Sequence, residues 1–347
     1  MRFYKNQHKY YCGIDLHARK MYVCILDQAG KTKVHKNIAT NPQAFFELIF
    51  PYLEDVAVAA ECVFCWYWLA DVCDEHNIPF VLGHALYMKA IHGGKTKNDK
   101  IDSYKIAALL RGGNLPVAYA YPARMRATRD LLRRRMYLVR KRAELLAHIQ
   151  NTNTQYNLPE IGKNLTHRCH RKNLAERFAD PAAKMMIETD LAIIGFYDRT
   201  LPRVERYIDQ RAKVHDPDAL CRLRTMPGVG YILALSILYE VGDITRFKTV
   251  QDFSSYARLI TPIKESDGKW AGRTNKKIGN HHLKHAINEA AMLFLRRNDI
   301  AVNYREKLER KHGKGKSYGI FTHKVGRAIY YMLKNKKGFN KQKFLNA

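Results

Sequence analysis

Four acidic residues in the first third of the chain sit in surroundings suited to hard-cation chemistry. Asp15 interrupts the otherwise apolar run Cys12-Gly13-Ile14-Asp15-Leu16, and an ion inside a buried strand needs a cation or a full set of hydrogen bonds to offset its desolvation. Glu61 closes the apolar run Val56-Ala57-Val58-Ala59-Ala60 in the same manner. Asp99 and Asp102, in Asn98-Asp99-Lys100-Ile101-Asp102, have the spacing that puts two carboxylates on one face of a helix. Two strand-end carboxylates and two on one helical turn make a donor set for a pair of Mg2+ ions about 4 Å apart, an arrangement suited to phosphodiester chemistry. Any one of the four, taken alone, reads more simply as a capping or salt-bridged residue; their joint order along the chain carries the reading.

A nucleophile is harder to choose. The chain has six serines: Ser103, Ser236, Ser254, Ser255, Ser266 and Ser317. Ser236 lies in an apolar helical run and Ser254-Ser255 in an amphipathic one, whereas Ser266 lies in the polar, accessible Lys264-Glu265-Ser266-Asp267-Gly268-Lys269. A serine in such a setting is ordinarily a turn former. Gly94-Lys95-Thr96 ends like a phosphate-binding loop but has Lys89 where that pattern needs glycine, which excludes the NTPase motif. Cys62 and Cys65 have no second pair at zinc spacing and read as packing residues. His281 and His285 lack the glutamate of a zinc-protease helix.

The elements that must position these residues differ along the chain. Residues 1–121 alternate β-rich and helical runs, with strands at 11–16, 21–27, 33–39, 56–61 and 80–83 and helices near 42–53 and 66–76, a pattern that predicts a mixed α/β sheet. Residues 122–215 read as two coiled-coil arms. Leu131, Leu138 and Leu145 recur every seven residues beside Leu132, Val139 and Leu146, and Ile187, Ile194, Leu201 and Ile208 repeat at the same interval. A polar linker is expected over 151–164 and a kink or restart at Pro202. Residues 216–347 read as mainly helical, with irregular points at Met226-Pro227-Gly228-Val229-Gly230 and over the polar stretch 261–280.

Sixty Lys and Arg against 32 Asp and Glu give a formal charge of +28, far beyond what solubility requires. The surplus is uneven: 14 basic and 11 acidic side chains in 1–121, 20 and 10 in 122–215, and 26 and 11 in 216–347. Nucleic acid is the leading partner; a ribosomal or membrane-surface protein is the alternative, because basicity reports an electrostatic footprint and no chemistry. Arg133, Arg134, Arg140 and Lys141 are either phosphate contacts or a solvated helix face. A hydrophobic content of 46% excludes a disordered basic tail. No run of 18 apolar residues and no apolar leader occurs, so a cytosolic protein without a membrane partner is expected, its seven cysteines reduced.

Gly13-Ile14-Asp15-Leu16-His17, Ala60-Glu61 and Asn98-Asp99-Lys100-Ile101-Asp102 resemble the Asp-Glu-Asp-Asp signature of the IS110 family of insertion-sequence transposases, whose catalytic domain is RuvC-like and RNase H-like. Leu223-Arg224-Thr225-Met226-Pro227-Gly228-Val229-Gly230 resembles the helix-hairpin-helix turn opening the family's carboxy-terminal domain. Gly279-Asn280-His281-His282-Leu283-Lys284 is similar to its Gly-Asn-x-x-Leu-Lys segment. The resemblance implies a RuvC-like catalytic domain over 1–121 with Asp15, Glu61, Asp99 and Asp102 as Mg2+ ligands, a coiled-coil region over 122–215 and a transposase domain over 216–347. It further implies that Ser266 is the nucleophile, transiently esterified to DNA. Asp267 departs from the pattern, since many relatives carry glycine or serine there and its charge opposes a phosphate.

Nucleic-acid contacts are expected at Gly228, Gly230, Arg273, Lys276, Lys277, Asn280 and Lys284, the glycines offering close backbone approach and a helix N-terminus. For the glycine turn, an ordinary helix connection is the competing reading. The implied partners are donor and target DNA and a structured bridge RNA. A homo-oligomer, dimer or tetramer, is expected on the nucleoid of a prokaryotic cytoplasm. Two rivals remain at this point: a junction-resolving nuclease in which water attacks, and a non-catalytic RNA-binding protein with structural carboxylates.

Overall fold

The computed structural model describes residues 2–91, 98–212, 216–260, 263–273, 278–296 and 298–346. The chain divides into two compact units, Met1–Ala123 and Arg124–Ala347. The first contains β1 (Tyr10–Leu16), β2 (Lys20–Asp27), β3 (Thr32–Ala39), α1 (Pro42–Ile49), β4 (Val56–Glu61), α2 (Tyr67–Glu75), β5 (Phe80–Gly83), α3 (Ala85–Ile91) and α4 (Asp99–Arg111). The strands form one sheet in the order β3-β2-β1-β4-β5, with β1, β4 and β5 parallel and β2 antiparallel to both its neighbours. Central strands covered on both faces read as unbroken apolar runs, which is why β1 and β4 were legible. On one face Cys12, Ile14, Val58 and Ala60 pack against Phe45, Ile49, Leu69 and Cys73 of α1 and α2. On the other, Tyr11, Ala57 and Val81 pack against Ile106, Leu109 and Leu110 of α4. The helix expected to reach residue 53 ends instead at Ile49, followed by a 3-10 turn over Phe50–Tyr52 that contains Pro51.

Gly13 fixes where α4 crosses the sheet. A Cβ there would stand 2.2 Å from the Ala107 nitrogen and 2.4 Å from the Ser103 carbonyl oxygen, so helix backbone lies directly on strand backbone. From this crossing Asp15 lies two residues along the strand, roughly 6.6 Å, and Asp99 lies four residues back from Ser103 along the helix, roughly 6 Å. One small residue thus sets the strand-end and helix-start carboxylates at the same level. Gly13→Ala is expected to cost about 1–3 kcal/mol, because the atoms it meets are backbone and cannot rotate away. Urea denaturation should show a lower midpoint with an unchanged slope; an unchanged midpoint would refute the close crossing.

From Ala123 onward the chain is mostly helical: α5 (Ala123–Gln155), α6 (Pro181–Ala212), α7 (Pro217–Arg224), α8 (Tyr231–Val241), α9 (Val250–Tyr256), the strands β6 (Ile263–Ser266) and β7 (Lys269–Arg273), α10 (His281–Arg296), α11 (Asp299–His312), α12 (Lys314–Lys334) and α13 (Lys341–Asn346). Helices α5 and α6 run antiparallel. Arg135 meets Glu205 at 2.7 Å, Arg142 meets Asp198 at 2.7 Å and His148 meets Asp190 at 2.6 Å, so numbers rise along one helix as they fall along the other. Ile187 and Ile194 pack with Leu146 and Ile149, while Leu132 and Ile208 join the main core of α7, α8, α9, α10 and α12.

Three expectations change here. Helix α5 continues through Gln155 into the supposed linker, and the connection to α6 contains 3-10 turns at Arg168–Arg171 and Ala175–Arg177. Helix α6 runs on through Pro202 instead of restarting. An interior proline costs about 3 kcal/mol, and here ion pairs at Asp198 and Glu205 and the buried Ile194 and Ile208 grip the helix on either side of it. The stretch expected to be irregular holds the antiparallel pair β6–β7, with Ser266 opposite Lys269. Asp267 and Gly268 between them have φ of 53° and 68°, both left-handed, as a two-residue hairpin turn of the Asp-Gly kind demands. No helix among the described residues is long and apolar enough to cross a membrane.

Candidate active site

Asp15 and Glu61 lie at the carboxyl ends of two adjacent parallel strands. Ile14 pairs with Ala60, so Asp15 and Glu61 each lie one residue beyond that pair on adjacent strands. Asn98 caps α4, its side chain accepting from the Lys100 N–H at 2.9 Å, and places Asp99 and Asp102 in the first helical turn. The positive end of the helix dipole favours acidic groups there. The Nε2 of His17 lies 3.4 Å from Asp15 Oδ2 and 3.7 Å from Asp99 Oδ1. Ligand atoms of Asp15, His17 and Asp99 all lie within 4.8 Å of one another. Asp102 Oδ1 stands 3.6 Å from the Lys105 ammonium.

Burial pushes the Asp15 carboxyl above the usual carboxylate range; His17 opposes this, and the charges of Asp99 and Asp102 add to it. A cation would relieve the strain on the buried Asp15 carboxylate, and hard oxygens with one imidazole nitrogen fit a divalent ion. All four carboxylates were named from the sequence and His17 was not. The signal was its spacing, two residues after Asp15 and one past the end of β1. Cys62, directly after Glu61, is exposed rather than packed, and Cys65 is partly buried with its Sγ donating to the Leu16 carbonyl at 3.5 Å. Gly94-Lys95-Thr96 lies outside the described residues.

In the second unit Ser266 ends β6 directly before the turn. Its side chain and that of Arg273 lie outside the described set, as do Lys276 and Lys277 entirely. Of the other five serines, Ser103, Ser254 and Ser317 are at most 1% exposed, and Ser236 donates back to the Ile232 carbonyl at 2.8 Å. Only Ser255 among those five is exposed. Asp267 has a conformational reason to be where it is, since aspartate tolerates the left-handed turn position. Flanking segments are stapled together: the Asn280 N–H donates to the Tyr256 carbonyl at 2.6 Å and Arg258 Nε to the Gly279 carbonyl at 2.9 Å.

Two of the residues expected to contact nucleic acid have internal roles. Gly228 has φ of 85°, and a Cβ on it would stand 2.4 Å from the Phe294 nitrogen, so this glycine admits α10. Asn280 is buried; its Nδ2 donates to Glu240 Oε2 at 2.7 Å and to the Tyr256 hydroxyl at 3.1 Å. Its Oδ1 accepts from the N–H groups of His282 and Leu283 at 3.0 and 3.1 Å, capping α10. Gly230 begins α8 with open space around it, and Lys284 is exposed. Arg133 is likewise committed inward, to Glu240, while Arg134 stacks over the Tyr137 ring at 4.9 Å.

Glu240 ties this region together. It is 3% exposed and accepts from Arg133 Nε at 2.6 Å, from Arg129 Nη2 at 3.0 Å and from Asn280. Burial pushes its carboxyl up, but the Arg133 hydrogen bond and the Arg129 and Arg133 charges outweigh that and hold it below its ordinary value of 4.5. A depressed folded-state value means the stabilisation is full above about 4.5 and is lost as pH falls through the folded value. Glu240→Gln leaves two guanidinium groups without their counter-charge, with an expected loss of about 3–5 kcal/mol at neutral pH. Its stability should also fall less steeply than wild type below about pH 4.5. Equal urea midpoints for both proteins at neutral pH would show the network to be dispensable.

Residues 12–158 match a family model described as Transposase, the DEDD type of IS110, and residues 221–306 match one described as Transposase IS116/IS110/IS902 family. The first match spans all four carboxylates and the second spans the hairpin that carries Ser266. Sheet, strand-end carboxylates and matches together define the class as DEDD-type transposase. Within that class the chain belongs to the IS110 family. It is 26% identical over 206 residues to the transposase for insertion sequence element IS1111A of Coxiella burnetii, covering 58% of this chain and 55% of that one. It is 32% identical over 96 residues to the insertion element IS110 uncharacterized 43.6 kDa protein of Streptomyces coelicolor, covering 28% and 23% respectively. The chain spans about half the length of the first two curated relatives it matches.

Proposed function

We propose that the chain is a DNA transposase that cuts and rejoins DNA in the movement of an insertion sequence, its first unit being RuvC-like and RNase H-like. The observation that carries this is the convergence of Asp15, Asp99 and His17 at the strand end beside Glu61, inside a segment matching a DEDD transposase model. Asp15, Glu61, Asp99 and Asp102 would hold two Mg2+ ions. When bound, these would supply Lewis-acid activation of the attacking oxygen and neutralise charge on the leaving one.

Ser266 attacks a DNA phosphorus: its Oγ–P bond forms as the bridging P–O bond breaks, and the released strand end leaves as a hydroxyl. Attack by a strand-end hydroxyl on the phosphoserine ester reverses the exchange and rejoins DNA without ATP. The basic surplus fits both DNA and a structured bridge RNA that selects donor and target, with Gly230, Arg273, Lys276, Lys277 and Lys284 among the contacts. The working form is a homo-oligomer, dimer or tetramer, acting on the nucleoid.

The test combines the full chain, its guide RNA and supercoiled DNA bearing the element junction, with Mg2+ or with chelator. Strand exchange that requires Mg2+ is expected. Free cleaved ends without rejoining would point to the junction nuclease, and RNA binding without cleavage in any divalent ion to the non-catalytic RNA-binding protein.

A further inference from the structure

We propose that His17 is itself a ligand, through Nε2, of a divalent cation held between Asp15 and Asp99, which gives this position a mixed nitrogen and oxygen donor set. The inference rests on reading the carboxylate cluster as a cation site and adds a residue to it. Distances carry it. Elsewhere in the chain a histidine that simply pairs with an aspartate comes close: His8 Nδ1 lies 2.6 Å from Asp55, and His148 Nδ1 lies 2.6 Å from Asp190. His17 Nε2 stands back from two carboxylates at once, at 3.4 and 3.7 Å. Neighbouring ligand atoms around an ion with bonds of about 2.1 Å are about 3.0 Å apart in octahedral geometry and about 3.4 Å in tetrahedral geometry. The observed separations lie just beyond a direct hydrogen bond of 2.7–3.2 Å, and the shorter of them matches the tetrahedral edge.

The backbone that carries the ring is also fixed beside Asp15. His17 follows β1 directly, two residues after Asp15, and its carbonyl accepts from the Thr40 hydroxyl at 2.9 Å, which ties this turn to the end of β3. Its side chain is 57% exposed, so no packing requirement accounts for an imidazole at this point. A nitrogen donor weakens the preference for Mg2+ that an all-carboxylate site has and improves the fit to a transition ion such as Mn2+.

The experiment uses the full chain without nucleic acid and Mn2+ as the probe, read by electron paramagnetic resonance and pulsed measurement of nitrogen hyperfine coupling. Wild type should bind Mn2+ with a nitrogen coupling. His17→Ala should lose the coupling and bind about tenfold or more weakly. His17→Asp should lose the coupling, recover affinity and shift preference toward Mg2+. If Mn2+ binds in an Asp15-dependent way with a coupling that survives His17→Ala, or with none in wild type, His17 is not a ligand while the carboxylate site stands. Binding unaffected by Asp15→Asn would overturn the site and the His17 assignment together.

Discussion

Asp15→Asn is expected to slow DNA strand cleavage by about a thousandfold or more while leaving DNA and RNA affinity within about twofold. A bound cation contributes several kcal/mol of transition-state stabilisation, and each 1.36 kcal/mol is a factor of ten in rate. Asparagine keeps the size of the side chain and removes the charge that would hold the ion. The same reasoning applies to Glu61→Gln and Asp102→Asn. The expected sign of the stability change distinguishes this loss from unfolding. Burial and the Asp99 and Asp102 charges raise the Asp15 carboxyl above its ordinary range, so the ionised group strains the metal-free fold. Metal-free Asp15→Asn should therefore melt at or above the wild-type temperature, as expected where a site gives up stability for function. Wild-type cleavage rates at saturating and at limiting Mg2+ would show that the cluster is structural.

The sheet was legible because its central strands carry their burial in their composition. β1 and β4 are apolar almost throughout, and a charge in such a run announces itself, which is how Asp15 and Glu61 were found. What could not be read was the crossing at Gly13. A glycine in a strand says that something approaches, and only the fold says that it is the backbone of α4. His17 was not legible in the same way, because it lies just past the strand and is exposed, so no apolar run sets it off.

The hairpin was missed for the opposite reason. Lys264-Glu265-Ser266 and Lys269-Trp270-Ala271-Gly272-Arg273 lack the apolar alternation by which strands are usually recognised, although the Asp-Gly pair between them is a strong turn signal. Asn280 was read as a nucleic-acid contact from its place in the Gly-Asn-x-x-Leu-Lys segment, and that pattern does not show what the side chain meets inside the fold. Its true partner, Glu240, lies forty residues earlier in an otherwise apolar helix.

Ser266→Ala is expected to abolish the covalent protein–DNA adduct and to lower recombination on the order of 10⁴-fold or more, the scale on which removal of an attacking serine acts in other enzymes. The hairpin should survive the change, because the pairing of β6 with β7 is made by backbone and the turn by Asp267 and Gly268. Nucleic-acid affinity should survive too, since phosphate contacts dominate such interfaces and one hydroxyl adds little. As the proposed nucleophile, Ser266 would gain from its place on the last residue of a strand, because a strand leaves less backbone freedom to be lost on reaching the phosphorus than a loop does. Asp267→Gly makes the complementary test. Glycine accepts the left-handed conformation and removes the charge beside the nucleophile, so this variant should keep the hairpin and its activity. Ser266→Cys should retain at most a trace, because sulfur is a poor match for attack assisted by a hard cation. The decisive measurement is mass spectrometry of the nuclease-trimmed adduct from a stalled reaction. A nucleotide on Ser255 or on a tyrosine would refute the assignment, and no adduct under any trapping condition would favour attack by water.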